Sequence, residues 1–137
     1  NGIMFYGRED VFDSSEMTID IVQNGAIATG NVYAQPQRTG GLWDAYLIKA
    51  INHCDTENSL LFMACVIQKT IKSIFSYEKK ATLSRVKHQS IPLPTTTSGA
   101  IDFGIIEAYI SAIKKKTIQS LKEFIALEHN AYQSVTK

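Results

Sequence analysis

Apolar and polar positions change rhythm twice along the chain. In "MTIDIV" (17–22) they alternate and are rich in β-branched residues, which predicts a strand. "QNG" (23–25) is a turn signal, because Asn and Gly tolerate positive φ. "AIATGNVYA" (26–34) keeps strand character across Gly30, which marks a bulge or bend. "QPQRTGG" (35–41) reads as a loop and "WDAYLIKA" (43–50) as a further strand, so the N-terminal half is expected to be mostly β.

The period then changes. In "ENSLLFMACVIQKTIKSIF" (57–75), Leu60, Met63, Ala64, Ile67, Ile71 and Ile74 recur at helical steps, with Lys69 and Lys72 off that face. "SYEKKATLSRVKHQ" (76–89) is polar and basic. "SIPLP" (90–94) is extended; Pro92 and Pro94 cannot donate to a ladder, so it belongs at a sheet edge or outside a sheet. "TTTSG" (95–99) is loop. From Asp102, the expected N-cap, to beyond Tyr132 no proline interrupts a helical pattern. Thirty-odd residues at ~1.5 Å each would span roughly 45–50 Å, longer than a domain of this size is wide. Ile106, Ile110, Ile113, Ile118, Leu121 and Ile125 keep an apolar stripe along it, while Thr117 and Glu128 interrupt a heptad frame. That favours a short helical pairing over a long zipper.

The 137 residues suit one domain with a modest core, and no apolar run approaches a membrane span. The chain opens at Asn1 in the turn-like "NGIMFYGRED" and reads as a piece lacking an N-terminal part of its domain. Cys54 and Cys65 fit no zinc or redox spacing. They are expected to be reduced, with Cys65 in a buried helix, which favours the cytoplasm. Charge changes the picture more. Residues 1–60 hold three basic groups against eight acidic ones, a balance of −5; residues 61–137 hold eleven against five, or +6. Part of the surface is therefore expected to meet an anionic partner.

Candidate chemistry is sparse. Glu78 and Lys80, with Asp55 upstream, make the residue types of a metal-dependent nuclease, but they lie in a basic loop. The plainer reading is a solvated charge cluster. His53, His88 and His129 are scattered without ligand spacing, and Gly25 and Gly30 do not make a phosphate loop. The stretch from Lys69 to Lys87 is richer: Lys69, Lys72, Lys79, Lys80, Arg85 and Lys87 stand against the single acid Glu78, interleaved with Tyr77, Thr82 and Ser84. Such residues neutralise phosphates, and Arg and Ser also read base edges. Tyr33, Gln35, Gln37 and Arg38, in "YAQPQR", offer a second set with amide and guanidinium donors. Lys114, Lys115 and Lys116 are most simply the wet side of the long helix, though they suit a DNA backbone or an acidic partner.

"TIDIVQNGAIATGNVYAQ", "WDAYLIKA", "IQKTIKSIFSYEKKATLSRVKHQSIPLP" and "SGAIDFGIIEAYISAIKKKTI", in that order, resemble a target-recognition domain of the DNA specificity subunits of type I restriction–modification systems and their type II relatives. The likeness covers nearly the whole chain. It implies an α/β fold: a small β-rich recognition domain (1–100) followed by a long helix (101–137) used for helix–helix pairing. It implies no catalysis and no cofactor. Double-stranded DNA would be read from 33–38 and 76–89, with phosphates on Lys72, Lys79, Lys80 and Lys87. The proline-rich stretch would fix the exit angle of the helix. That helix would pair with a second copy or a second specificity domain and engage methyltransferase and restriction subunits. Two other readings stay open: the nuclease on Asp55, Glu78 and Lys80, and a protein-interaction module without DNA contact.

Overall fold

Alternation and β-branching place Thr18–Val22 (β1) at the centre of the computed structural model, which describes residues 5–51 and 56–135. Val32–Gln35 (β2) and Ala45–Ile48 (β3) flank it in a sheet of order β2-β1-β3. β1 is antiparallel to both neighbours: Ile19 faces Ala34 and Ile48, and Ile21 faces Val32 and Tyr46. Because successive side chains alternate, these residues share one face. Helix α1 (Glu57–Ile71) covers it, and its Leu60, Ala64, Ile67 and Ile71 close the core with Ile19, Ile21 and Val32. Fully burying each such side chain stabilises by roughly 1.5–3 kcal/mol.

β2 and β3, both antiparallel to β1, run parallel to each other and cannot share a tight turn. Residues 36–44 therefore cross β1 to begin β3 at the far end of the sheet. They cross on the face away from α1: a Cβ on Gly41 would meet Leu47 Cγ at 3.6 Å, and Leu47 alternates away from the core. Thr39 also bridges Ser15 of the leading segment. The crossover explains why Thr18 on this face is only 2% exposed, and why burial raises the Asp20 carboxyl above its usual pKa.

Three expected elements are shorter than their patterns. The predicted strand over 26–34 is a turn as far as Gly30 and a strand only from Val32. Val22 N–H donates to Asn31 O, Gly30 N–H to Val22 O, and Thr29 Oγ1 to Gly25 O, which closes a loop over the β-prone residues. Gly30 sits at φ +79°, a left-handed backbone that favours glycine, and its would-be Cβ would lie in ordinary contact, 3.4 Å, with Lys72 Cα. The strand expected over 43–50 is confined to 45–48. The helix expected over 57–75 stops at Ile71, whose carbonyl accepts from both Ile74 and Phe75 N–H; that tightening swings Phe75 into the core. Cys65 is on α1 as expected but exposed, since it falls off the Leu60–Ala64–Ile67 stripe. Cys54, His53 and Asp55 lie outside the described residues.

Leu83–Val86 forms a single helical turn (α2), and 90–94 lies outside the sheet. The last helix, α3 (Phe103–Val135), begins where Asp102 Oδ1 accepts from Ile105 N–H at 3.0 Å, the cap read from sequence. Asp102 N–H donates to Pro94 O, so the proline stretch does abut the start of this helix. Ile106 and Ile110 are buried, and α3 packs on α1. A polar clasp secures the junction. Glu107 accepts from Thr56 Oγ1, Ser59 Oγ (3.0 Å) and Asn58 Nδ2 (3.0 Å), while Lys114 Nζ donates to Asn58 Oδ1. The Thr56 hydroxyl above all, then Asn58 and Ser59, hold the Glu107 carboxyl below its usual pKa. Thr56 is also the N-cap of α1, accepting from Ser59 N–H at 3.1 Å.

Candidate nucleic-acid interface

The basic segment begins where α1 ends and returns along β3. Ser76 N–H donates to Lys79 O, and the Ser76 hydroxyl accepts from Lys79 N–H, so Tyr77–Lys79 form a tight bend. Ala81, fully buried, then pins the chain. Its N–H donates to Gln23 O and its carbonyl accepts from Tyr46 Oη at 3.0 Å, an environment in which burial pushes the tyrosine up to about 12. α2 follows, and Arg85 Nη1 donates back to Lys80 O at 3.2 Å. Val86 and Ile91 turn inward, lining an apolar cleft of about 250 Å³ with Ile48, Ile67, Ile71 and Leu83; Lys87 and Gln89 complete its wall.

Local sequence thus alternates anchors (Ala81, Val86, Ile91) with exposed polar groups. Tyr77, Lys79, Lys80, Ser84, Arg85 and Lys87 are all exposed. Lys79 Nζ lies 5.5 Å over the Phe75 ring, which orients that ammonium. None of Lys79, Lys80, Arg85 and Lys87 forms an ion pair among the described residues. Their charge is available to an anionic ligand.

Lys72 is placed otherwise. Its ammonium donates to Ile27 O (2.7 Å), Thr29 O (3.0 Å) and Asn31 Oδ1 (2.6 Å), which uses all three of its donors on the β1–β2 loop. It holds that loop and has no donor left for phosphate.

The second candidate set does not join the first. Tyr33 and Gln35 alternate with the core residues Val32 and Ala34, so they face away from α1, on the β2 edge. The basic segment lies along β3, at the opposite edge. Arg38 is 3.6 Å from Glu9 and 3.4 Å from Glu16, pairs that tie the crossover to the leading segment; Gln37 is exposed beside it. The cations are therefore split between two patches, of which 76–89 is unpaired.

The stripe on α3 also divides. Ile106 and Ile110 belong to the α1 contact, while Ile113, Ile118, Leu121 and Ile125 are 44–57% exposed. Glu78 and Lys80 stand on an exposed bend, and no trio of His, Cys, Asp or Glu able to hold a metal occurs among the described residues.

Two features escaped the sequence reading. The Glu107 clasp left only the Thr56 cap as a signal, because its partners are about fifty positions apart. Trp43, read as a strand residue, precedes β3 and is 99% exposed.

The pattern of the type I restriction modification DNA specificity domain matches residues 6–123. Over 76 residues the chain is 34% identical to the specificity subunit of the type II restriction enzyme BgcI (S.BcgI) of Heyndrickxia coagulans. That alignment takes in 55% of this chain and 22% of the relative, so the chain spans a small part of that subunit's length. No solved structure matches.

Proposed function

The chain belongs to the type I restriction modification DNA specificity domain family, and from that premise we propose that it is the non-catalytic reader that takes a methyltransferase and endonuclease to their DNA target. The observation that carries this is the unpaired basic segment. Lys79, Lys80, Arg85 and Lys87 project from a stretch whose backbone is pinned to β1, β3 and itself, so cationic groups are held in place without carboxylate partners. Release of counterions from DNA rewards such groups in a salt-dependent way. Lys79, Lys80 and Lys87 would hold phosphates, while Tyr77, Ser84 and Arg85 would face the groove. Tyr33, Gln35, Gln37 and Arg38 would form a second contact reached past the sheet edge, and the reader would work in the cytoplasm.

The exposed part of α3 is the second component of the proposal. Ile113, Ile118, Leu121 and Ile125 would be covered by the same helix of a second copy, or by that of a second specificity domain, and the helix would also engage methyltransferase and restriction subunits.

Gel-shift titration across a range of salt tests the first component. Lys79→Ala with Lys80→Ala is expected to weaken binding to every duplex and to make the salt slope shallower by about two, near 0.9 for each phosphate no longer neutralised. An unchanged slope would remove this loop from the phosphate surface.

A further inference from the structure

One residue, Gln23, joins two loops at the same end of the sheet. Its N–H donates to Asp44 O at 2.8 Å and its Nε2 to Trp43 O at 3.3 Å, while its carbonyl accepts from Ala81 N–H at 3.1 Å. Asn24 Nδ2 adds a bond to Asp44 Oδ1 at 3.0 Å, and Ala45 N–H closes the turn onto Leu42 O at 2.9 Å. The backbone of Trp43 is thus fixed from both sides, yet its indole is 99% exposed. Immediately before Gln23's other partner, Ala81, stand the unpaired cations Lys79 and Lys80.

Trp43 thus presents a large ring outward from a held backbone, with its area open to a partner. Its occupant is argued from charge. Lys79, Lys80 and Arg85 outnumber the nearby carboxylates Glu78 and Asp44, and Asp44 already accepts from Asn24. A large apolar ring flanked by cations suits a duplex, whose phosphates take the charge while sugars, thymine methyls and base steps take the ring.

We propose that Trp43 is a DNA-contacting residue, laid into the groove of the duplex whose phosphates Lys79 and Lys80 hold. The inference rests on the DNA-recognition reading and deepens it by adding an apolar element that the charged segment alone does not supply.

The chain contains one tryptophan, so its emission reports this position alone. The intact chain is titrated with a mixed-sequence duplex at low salt, complex formation being followed independently by gel shift. Emission is expected to be quenched in step with the shifted fraction. Trp43→Ala, with an unchanged far-ultraviolet spectrum, is expected to weaken binding about tenfold; Trp43→Phe, which keeps a ring, less than that. A retarded complex with undisturbed emission, or wild-type affinity in Trp43→Ala, overturns the contact while leaving the recognition reading intact. So does a Trp43→Ala variant that loses self-association but still binds the duplex, which would make the ring's partner a protein. Absence of binding to any duplex by the wild-type chain removes both.

Discussion

The two long helices contrast in how their apolar faces are covered. α1, 15 residues long, buries Leu60, Ala64, Ile67 and Ile71 against its own sheet. α3, more than twice as long, buries only Ile106 and Ile110, and every residue from Ser111 to Val135 is exposed. At ~1.5 Å per residue α3 spans about 50 Å; its first turns, as far as the Lys114–Asn58 bond, lie on the body and the stretch beyond is exposed. Both helices carry amphipathic patterns of similar strength. An apolar stripe states that a face needs cover but not whose; in α1 the cover is the chain's own, and in α3 it is left to another helix under the proposal made above.

The largest effect that separates the helices is a cavity. Ile71→Ala removes a fully buried side chain from α1 and is expected to cost ~2–5 kcal/mol in denaturant unfolding. Leu121→Ala, at a site 55% exposed, should change the unfolding of a dilute, unpaired chain by less than about 0.5 kcal/mol. Equal losses would mean that the outer half of α3 folds back on its own body.

The proposed pairing comes next. Ile113→Asp with Leu121→Asp would set charges in the seam and is expected to weaken self-association or methyltransferase binding at least tenfold in sedimentation, with the midpoint of body unfolding unmoved. Undiminished association would put the contact elsewhere.

The smallest effects concern two carboxyls, Glu107 at the helix junction and Asp20 in β1, for which pH is the probe. Glu107 titrates below its ordinary value in the fold, held chiefly by the Thr56 hydroxyl. Its contribution is therefore complete above the ordinary carboxylate range and lost as pH falls below it. Asp20 has the opposite sign, because burial raises its carboxyl; its contribution is complete in acid and lost as pH rises through the raised value. Thermal melts from pH 3 to 7 should accordingly lose part of their acid-side fall in Glu107→Gln. Asp20→Asn should gain more at pH 7 than at pH 3. Unaltered profiles would show that neither carboxyl is set by the contacts described.

Much of this was legible in the sequence, for reasons particular to each element. β1 was readable because β-branched Ile19 and Ile21 alternate with the polar Thr18 and Asp20, and the start of α3 because Asp102 caps its own neighbours. The strand expected over 26–34 failed because its loop is held by Lys72, a partner 41–45 positions away that local pattern does not reveal. The basic segment was visible as composition, but not the pairing of Arg38 with Glu9 and Glu16 or the consumption of Lys72 by carbonyls. Those contacts join residues 22–45 positions apart, and they decide which cations remain free. The Glu107 clasp and the fixed exposure of Trp43 are likewise products of tertiary contact, which local periodicity does not encode.

Hydrogen exchange of the intact chain with and without duplex DNA sets the body against the projecting helix in one measurement. The account predicts that DNA slows exchange within 76–89 and around Trp43 and leaves 111–135 as it was. Protection gained along Lys114–Lys116 and the outer helix, with 76–89 indifferent, would contradict it.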